Sequence, residues 1–170
     1  IISFVNIVCA YFMVNIGMNV VLAVLLSLII STFIGFLNGI IIAELRIPAL
    51  IVTFASQTIF AGYAYIICGG VPISRMPESF LKLGQVYVGP IPVPVIVMVV
   101  IFAIGTFILN KTYFGRYFYA LGGNEEAALL SGIKIKVVKC LVYSLSGLFA
   151  GIAGLVMLAR ANTAQPNAGV

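Results

Sequence analysis

The side chains able to do chemistry are few, and their spacing does not suit catalysis. The chain has no histidine, which removes the commonest metal ligand and the commonest general base near neutral pH. Cys9, Cys68 and Cys140 show no paired spacing. Only four acidic residues occur and none sits in the middle of an apolar run, so no carboxylate pair is available within one. There is no G-x-x-x-x-G-K-[ST] phosphate loop and no Gly-Lys pair at all. Gly122-Gly123 follows no strand, so it is read as letting the chain bend into a helix, not as a phosphate cradle. No catalysis, cofactor, metal or nucleic-acid partner is expected.

Two other groups of residues stand out. The first is polar, uncharged and embedded in apolar runs: Asn38, Thr53, Ser56 and Gln57, with Thr58, Ser144 and Ser146 beside them. Thr53 and Gln57, four apart, share a helix face. Amides and hydroxyls are costly in lipid, so these side chains either bond between helices or line a pathway for a neutral solute. The second is a short helix signal. Asn124 is a strong N-cap, Glu125 and Glu126 suit the positive end of the helix dipole, and Ala127 to Leu130 are helix formers before a stop at Gly132. So short a helix does not persist alone in water and needs a surface. Ala127, Leu130 and Ser131 form a face small enough for a groove on another protein. The alternative is a helix lying on the chain's own membrane face.

The elements that position these groups are set by composition. Of 170 residues, 63% are hydrophobic and 8% charged, against roughly 25% charged in a soluble domain. Too few charges exist to coat a water-facing surface, which excludes the soluble-enzyme and disordered classes. Charge-free stretches run over 1–43, 47–74, 83–110 and 140–159. One helix needs ~20 apolar residues to cross a bilayer, so the first stretch must turn back, and Asn15, Gly17 and Asn19 are its only cluster of turn formers. The expectation is an all-α, polytopic transmembrane helix bundle, residues 1–170 forming one domain. About five crossings are placed near 1–14, 20–43, 49–68, 93–109 and 137–159. Pro48 opens the third, and Pro90, Pro92 and Pro94 lead into the fourth. Residues 69–92 read as a loop with a short surface helix.

Small residues four apart, Gly35 and Gly39, Gly147 and Gly151, Ala150 and Gly154, read as helix-packing faces. Six basic residues (Arg46, Lys111, Arg116, Lys134, Lys136, Lys139) fall on one side of the crossings and three (Arg75, Lys82, Arg160) on the other. By the positive-inside rule the first side, with the loop 110–139, is cytoplasmic. The chain begins with Ile1 and ends without a closing element, and reads as a piece of a longer polypeptide.

Several segments resemble the permease subunits of bacterial ABC importers for ribose and related simple sugars. They are Gly35-x-x-Asn38-Gly39, Leu45-Arg46-Ile47-Pro48-Ala49-Leu50-Ile51-Val52-Thr53, and the long run from Thr112 through Gly115-Arg116, Tyr119 and Gly122-Gly123-Asn124-Glu125-Glu126-Ala127-Ala128 to Ser131-Gly132-Ile133. Tyr143-x-x-Ser146-Gly147, Ala159-Arg160 and Ala164-Gln165-Pro166-x-Ala168-Gly169 continue the match.

The resemblance implies a permease of roughly ten helices in the bacterial inner membrane, working as a homo- or heterodimeric pair. It implies sugar delivered by an extracytoplasmic binding protein and a cytoplasmic ATPase pair that grips the loop. On that reading Gly123, Asn124, Glu125, Glu126, Ala127, Ala128, Ser131 and Gly132 make the ATPase contact, while Asn38, Thr53, Ser56 and Gln57 belong to the pathway. The same superfamily includes branched-chain amino-acid permeases, which remains an alternative. An ATPase-independent channel or secondary transporter, and a structural membrane subunit with no pathway, are others.

Overall fold

The computed structural model describes residues 1–168, with the backbone alone at Val88; Gly169, the last residue of the C-terminal motif, and Val170 lie outside them. Five apolar helices form the bundle: α1 (Ile2–Val14), α2 (Val20–Leu45), α3 (Ala49–Cys68), α5 (Val93–Lys111) and α8 (Ile135–Ala161). Between them lie α4 (Glu78–Gln85), α6 (Tyr113–Gly123) and α7 (Glu125–Leu130), with two-residue strands β1 (Ile73–Ser74), β2 (Tyr87–Val88), β3 (Ile91–Pro92) and β4 (Thr163–Ala164). Four of the apolar helices are long enough to cross a bilayer, and α1, with 13 residues, is shorter. The chain is a multi-pass membrane protein. Turn residues 15–19 divide α1 from α2 as the polar cluster requires, and the Asn19 side chain caps α2 by accepting from Val21 N at 2.9 Å.

The spine is the α2–α8 pair, and glycines bring the two backbones together. A Cβ on Gly147 would lie 2.5 Å from Ser31 O, and one on Gly39 would lie 2.7 Å from Cys140 Cα. The Ser31 hydroxyl, fully buried, donates across the seam to Gly147 O. In lipid, where apolar side chains gain little by leaving the solvent, this close backbone packing is what holds helices together. Helix α1 closes the core at one end, with Val5, Ile7, Cys9 and Ala10 packed among Leu155, Leu158 and Ala159.

The two ends of the bundle are defined by pairings distant in sequence. At one, β1 pairs antiparallel with β4 (Ile73 opposite Ala164), and Met76 N donates to the Asn162 side chain at 3.1 Å. At the other, Glu44 and Lys136 form an ion pair at 2.7 Å. The six basic residues predicted to share a side belong to this second end.

The connection 69–92 carries the short surface helix expected there, α4, with Glu78, Ser79, Lys82, Leu83 and Gln85 exposed. Its inner face is anchored: Phe80 is buried, and a Cβ on Gly84 would strike the α8 backbone, 2.7 Å from Ala159 O.

Candidate functional site: the loop between the last two crossings

The segment expected to hold one compact helix holds two. Thr112 caps α6, accepting from Gly115 N at 3.4 Å while its hydroxyl donates to Ile108 O at 2.5 Å. Gly115 is buried at the α5–α6 corner because a Cβ there would sit 2.7 Å from Leu109 Cα. Helix α6 is amphipathic, with Phe118 and Leu121 turned toward the bundle and Tyr113, Phe114, Tyr117 and Tyr119 outward. Aromatic rings of this kind suit the bilayer–water boundary, and Arg116 stacks over Tyr113 with its guanidinium 4.4 Å from the ring centre.

Asn124 then performs two tasks. In an extended conformation (φ −155°, ψ 111°) it ends α6, its N–H donating to Ala120 O, and it starts α7, its side chain accepting from Ala127 N at 3.0 Å. The predicted cap is therefore present. The predicted bend at Gly122-Gly123 is not, because both glycines lie inside the last turn of α6 and neither has a positive φ. Gly132 (φ +78°) supplies the expected stop one residue beyond the Ser131 cap.

Among the eight loop residues expected to touch a partner, one is turned inward. Ala128 is buried within this chain, whereas Glu125, Glu126, Ala127, Ser131 and Gly132 are exposed, as are Gly123 and Asn124. Leu130, expected with Ala127 and Ser131 on a docking face, is 90% exposed, and Leu129, not singled out in the sequence, is 61% exposed. Two large apolar side chains stand free on a six-residue helix. The sequence signal was the Ala-Ala-Leu-Leu run itself, in which helical rotation sends Ala128 in and Leu130 out.

Helix α7 is held to α8 by the Lys139–Glu125 ion pair at 2.7 Å, with the Lys139 side chain only 19% exposed. Beneath the loop a cavity of about 770 Å³ opens between Leu109, Phe118 and Leu121 on one wall and Ile42, Arg46, Pro48, Lys139 and Val142 on the other.

The four predicted pathway residues do not converge. Ser56 donates to the Asn38 side chain, joining α3 to α2, and Asn38 is buried. Thr53 bonds back to its own helix, at Ala49 O (2.9 Å) and Leu50 O (3.2 Å), and Gln57 is exposed on the outer face of α3. Sequence reasoning missed a buried polar set on α1 and α2: Ser3, Asn6, Ser27 and Ser31.

A family model described as "branched-chain amino acid transport system / permease component" matches residues 3–170. The chain belongs to this family. It is 39% identical to the ribose import permease protein RbsC of Haemophilus influenzae over 162 residues, covering 93% of this chain and 50% of that protein. Against RbsC of Bacillus subtilis the identity is 42% over 155 residues, 90% of this chain and 48% of the relative. The L-arabinose transport system permease protein AraH of Escherichia coli is 43% identical over 129 residues, 76% of this chain and 39% of the relative. The chain thus spans about half the length of these relatives or less. No solved structure matches it at a significant level.

Proposed function

We propose that this chain is membrane-spanning machinery of the permease subunit of an ATP-driven importer, carrying a ribose-like simple sugar across the bacterial inner (plasma) membrane. Its partners on this reading are a cytoplasmic ABC ATPase, an extracytoplasmic sugar-binding protein and a second permease copy. Hydrolysis belongs to the ATPase, and this chain converts the ATPase's motion into helix movement. The relatives named above are sugar permeases, which favours a sugar over a branched-chain amino acid despite the family's description.

The observation that carries the reading is α7. Leu130, 90% exposed, and Leu129, 61% exposed, project from a six-residue helix on the basic end of the bundle. A helix of that length needs a partner surface to persist, and an exposed apolar pair flanked by Glu125 and Glu126 is a handle suited to a groove. Ala128 serves the contact from behind, by seating α7 on its own chain. The test is Leu130→Asp in the permease expressed with its ATPase and binding protein. Desolvating a carboxylate in an apolar groove costs several kcal/mol, so ATPase copurification and uptake should both fall by about tenfold or more. Wild-type copurification and uptake would overturn the docking role. An ATPase-independent channel would still move sugar in vesicles stripped of the ATPase.

A further inference from the structure

Gly122 and Gly123 have no static reason to be glycine. Both are helical with φ outside the left-handed region, both are exposed, and a Cβ on either would meet nothing within 4 Å. Glycine is the poorest helix former after proline, and here the structure offers no close approach or turn that demands it. The contrast with Gly115, seven residues before Gly122 and jammed against Leu109, is sharp.

What lies on each side of the pair is well fixed. Helix α6 is locked to α5 through Gly115 and the Thr112 hydroxyl on Ile108 O. Helix α7 is tied to α8 through Lys139–Glu125, and α8 to α2 through Ser31–Gly147 and Lys136–Glu44. Between these two assemblies lies the cavity of about 770 Å³, with α5–α6 side chains on one wall and α2–α8 side chains on the other. The one covalent link across it on this side is the segment 122–124.

We propose that Gly122-Gly123 is a hinge, so that α7 swings with α8 and α2 as one body relative to α5–α6, opening and closing the cavity. The proposal rests on the coupling role given to α7. Glycine lowers the cost of bending or fraying the last turn of α6, and the cavity supplies the room. Force applied at Leu129–Leu130 is then carried through Lys139 into α8, across the Gly147 seam into α2, and through Asn38–Ser56 into α3. Gly122 and Gly123 are positioning residues: they touch no substrate.

The test is Gly122→Ala, outside the residues assigned to the ATPase contact, in the complete transporter, reconstituted with ATPase and binding protein. If the hinge is real, the variant binds ATPase as well as wild type and melts no lower. Its sugar uptake per ATP hydrolysed nevertheless falls about fourfold, because alanine favours the straight α6 end over glycine by close to that factor at one residue. A spin-label pair at Tyr119→Cys and Val137→Cys, both exposed and off the α7 handle, should change separation between nucleotide-free and ATP-bound states, and should stop doing so in the alanine variant. Uptake within twofold of wild type, or a fixed separation in the glycine-containing protein, overturns the hinge. Loss of ATPase binding also overturns it, since the glycines would then serve close approach of the partner. Failure of the coupling reading itself is seen separately, as Leu130→Asp that still binds ATPase.

Discussion

Gly147→Ala puts the α2–α8 spine to a quantitative test. The added Cβ would lie 2.5 Å from Ser31 O, 3.1 Å from Gly35 Cα and 3.2 Å from Gly35 N. All three are backbone atoms, so no side chain can rotate away. Ordinary contact begins at 3.4 Å, so the helices must part by 3.4 − 2.5, about 0.9 Å. That movement stretches the Ser31 hydroxyl bond to Gly147 O, now 2.5 Å, toward the limit of a hydrogen bond. Overpacking costs about 1–3 kcal/mol and the interhelical bond contributes about 0.6 kcal/mol, at most about 1.7. Better helix propensity returns about 0.5–1 kcal/mol. The net loss is therefore about 1–3 kcal/mol, which at about 2–4 °C per kcal/mol lowers Tm by about 2–12 °C. Gly105→Ala is the matched control, because its Cβ meets nothing within 4 Å, and it should melt at or slightly above wild type. The assay is survival of the monodisperse peak of a fluorescently tagged protein in detergent after heating. If Gly147→Ala and Gly105→Ala melt together, the α2–α8 seam is not packed as described.

Two further outcomes follow from burial. Phe80→Ala removes the largest fully buried side chain and should cost about 3–5 kcal/mol; limited proteolysis within 69–92 should rise, and unchanged cleavage would mean that α4 is not anchored on α8. Ser56→Ala leaves the buried Asn38 amide without its partner, costing about 1–3 kcal/mol, and Asn38→Leu on that background should recover part of the loss. Uptake measured on the same variants separates a structural bond from a pathway role: a stable double variant that transports normally removes Asn38 and Ser56 from the pathway.

The crossings were legible because lipid imposes one rule on the whole chain: every polar backbone group must be satisfied inside its own segment. Helix α3 spans Ala49–Cys68 as its flanking Pro48 and Gly69 dictate, and α2, α5 and α8 extend only two residues or so past the apolar limits. The Asn124 cap was legible because its geometry is local. What the sequence hid was set by tertiary partners. Gly115 appeared only as one residue of a motif, yet its contact with Leu109 makes the α5–α6 corner, and with it α6. Ala128 was expected to touch the partner, but it is buried within its own chain, which the local sequence does not specify. Thr53 and Gln57 share a face, as their spacing requires, but a shared face does not specify what that face meets.

The distribution of polar groups refines what kind of pathway this half-length of the family can contribute. The buried polar side chains Ser27, Ser31 and Asn38 lie on α2, and each is engaged: Ser27 with Ala23 O, Ser31 with Gly147 O, Asn38 with Ser56. The Ser31 and Asn38 bonds hold helices together, whereas Ser27 bonds back within α2. Gln57, Thr58, Tyr63 and Tyr65 on α3 are instead exposed, and Thr58 bonds only its own helix, at Phe54 O (3.1 Å). An exposed amide such as that of Gln57 is a poor lipid contact, because an unsatisfied polar group costs free energy in hydrocarbon. It is well suited to hydroxyl-rich solute or to a second polar helix. If a sugar passes along this chain, α3's outer face is therefore a better site for it than the Asn38–Ser56 seam. Gln57→Leu should then lower uptake without lowering Tm, while Ser56→Ala should lower Tm first. The reverse order would place the pathway inside the α2–α3 seam.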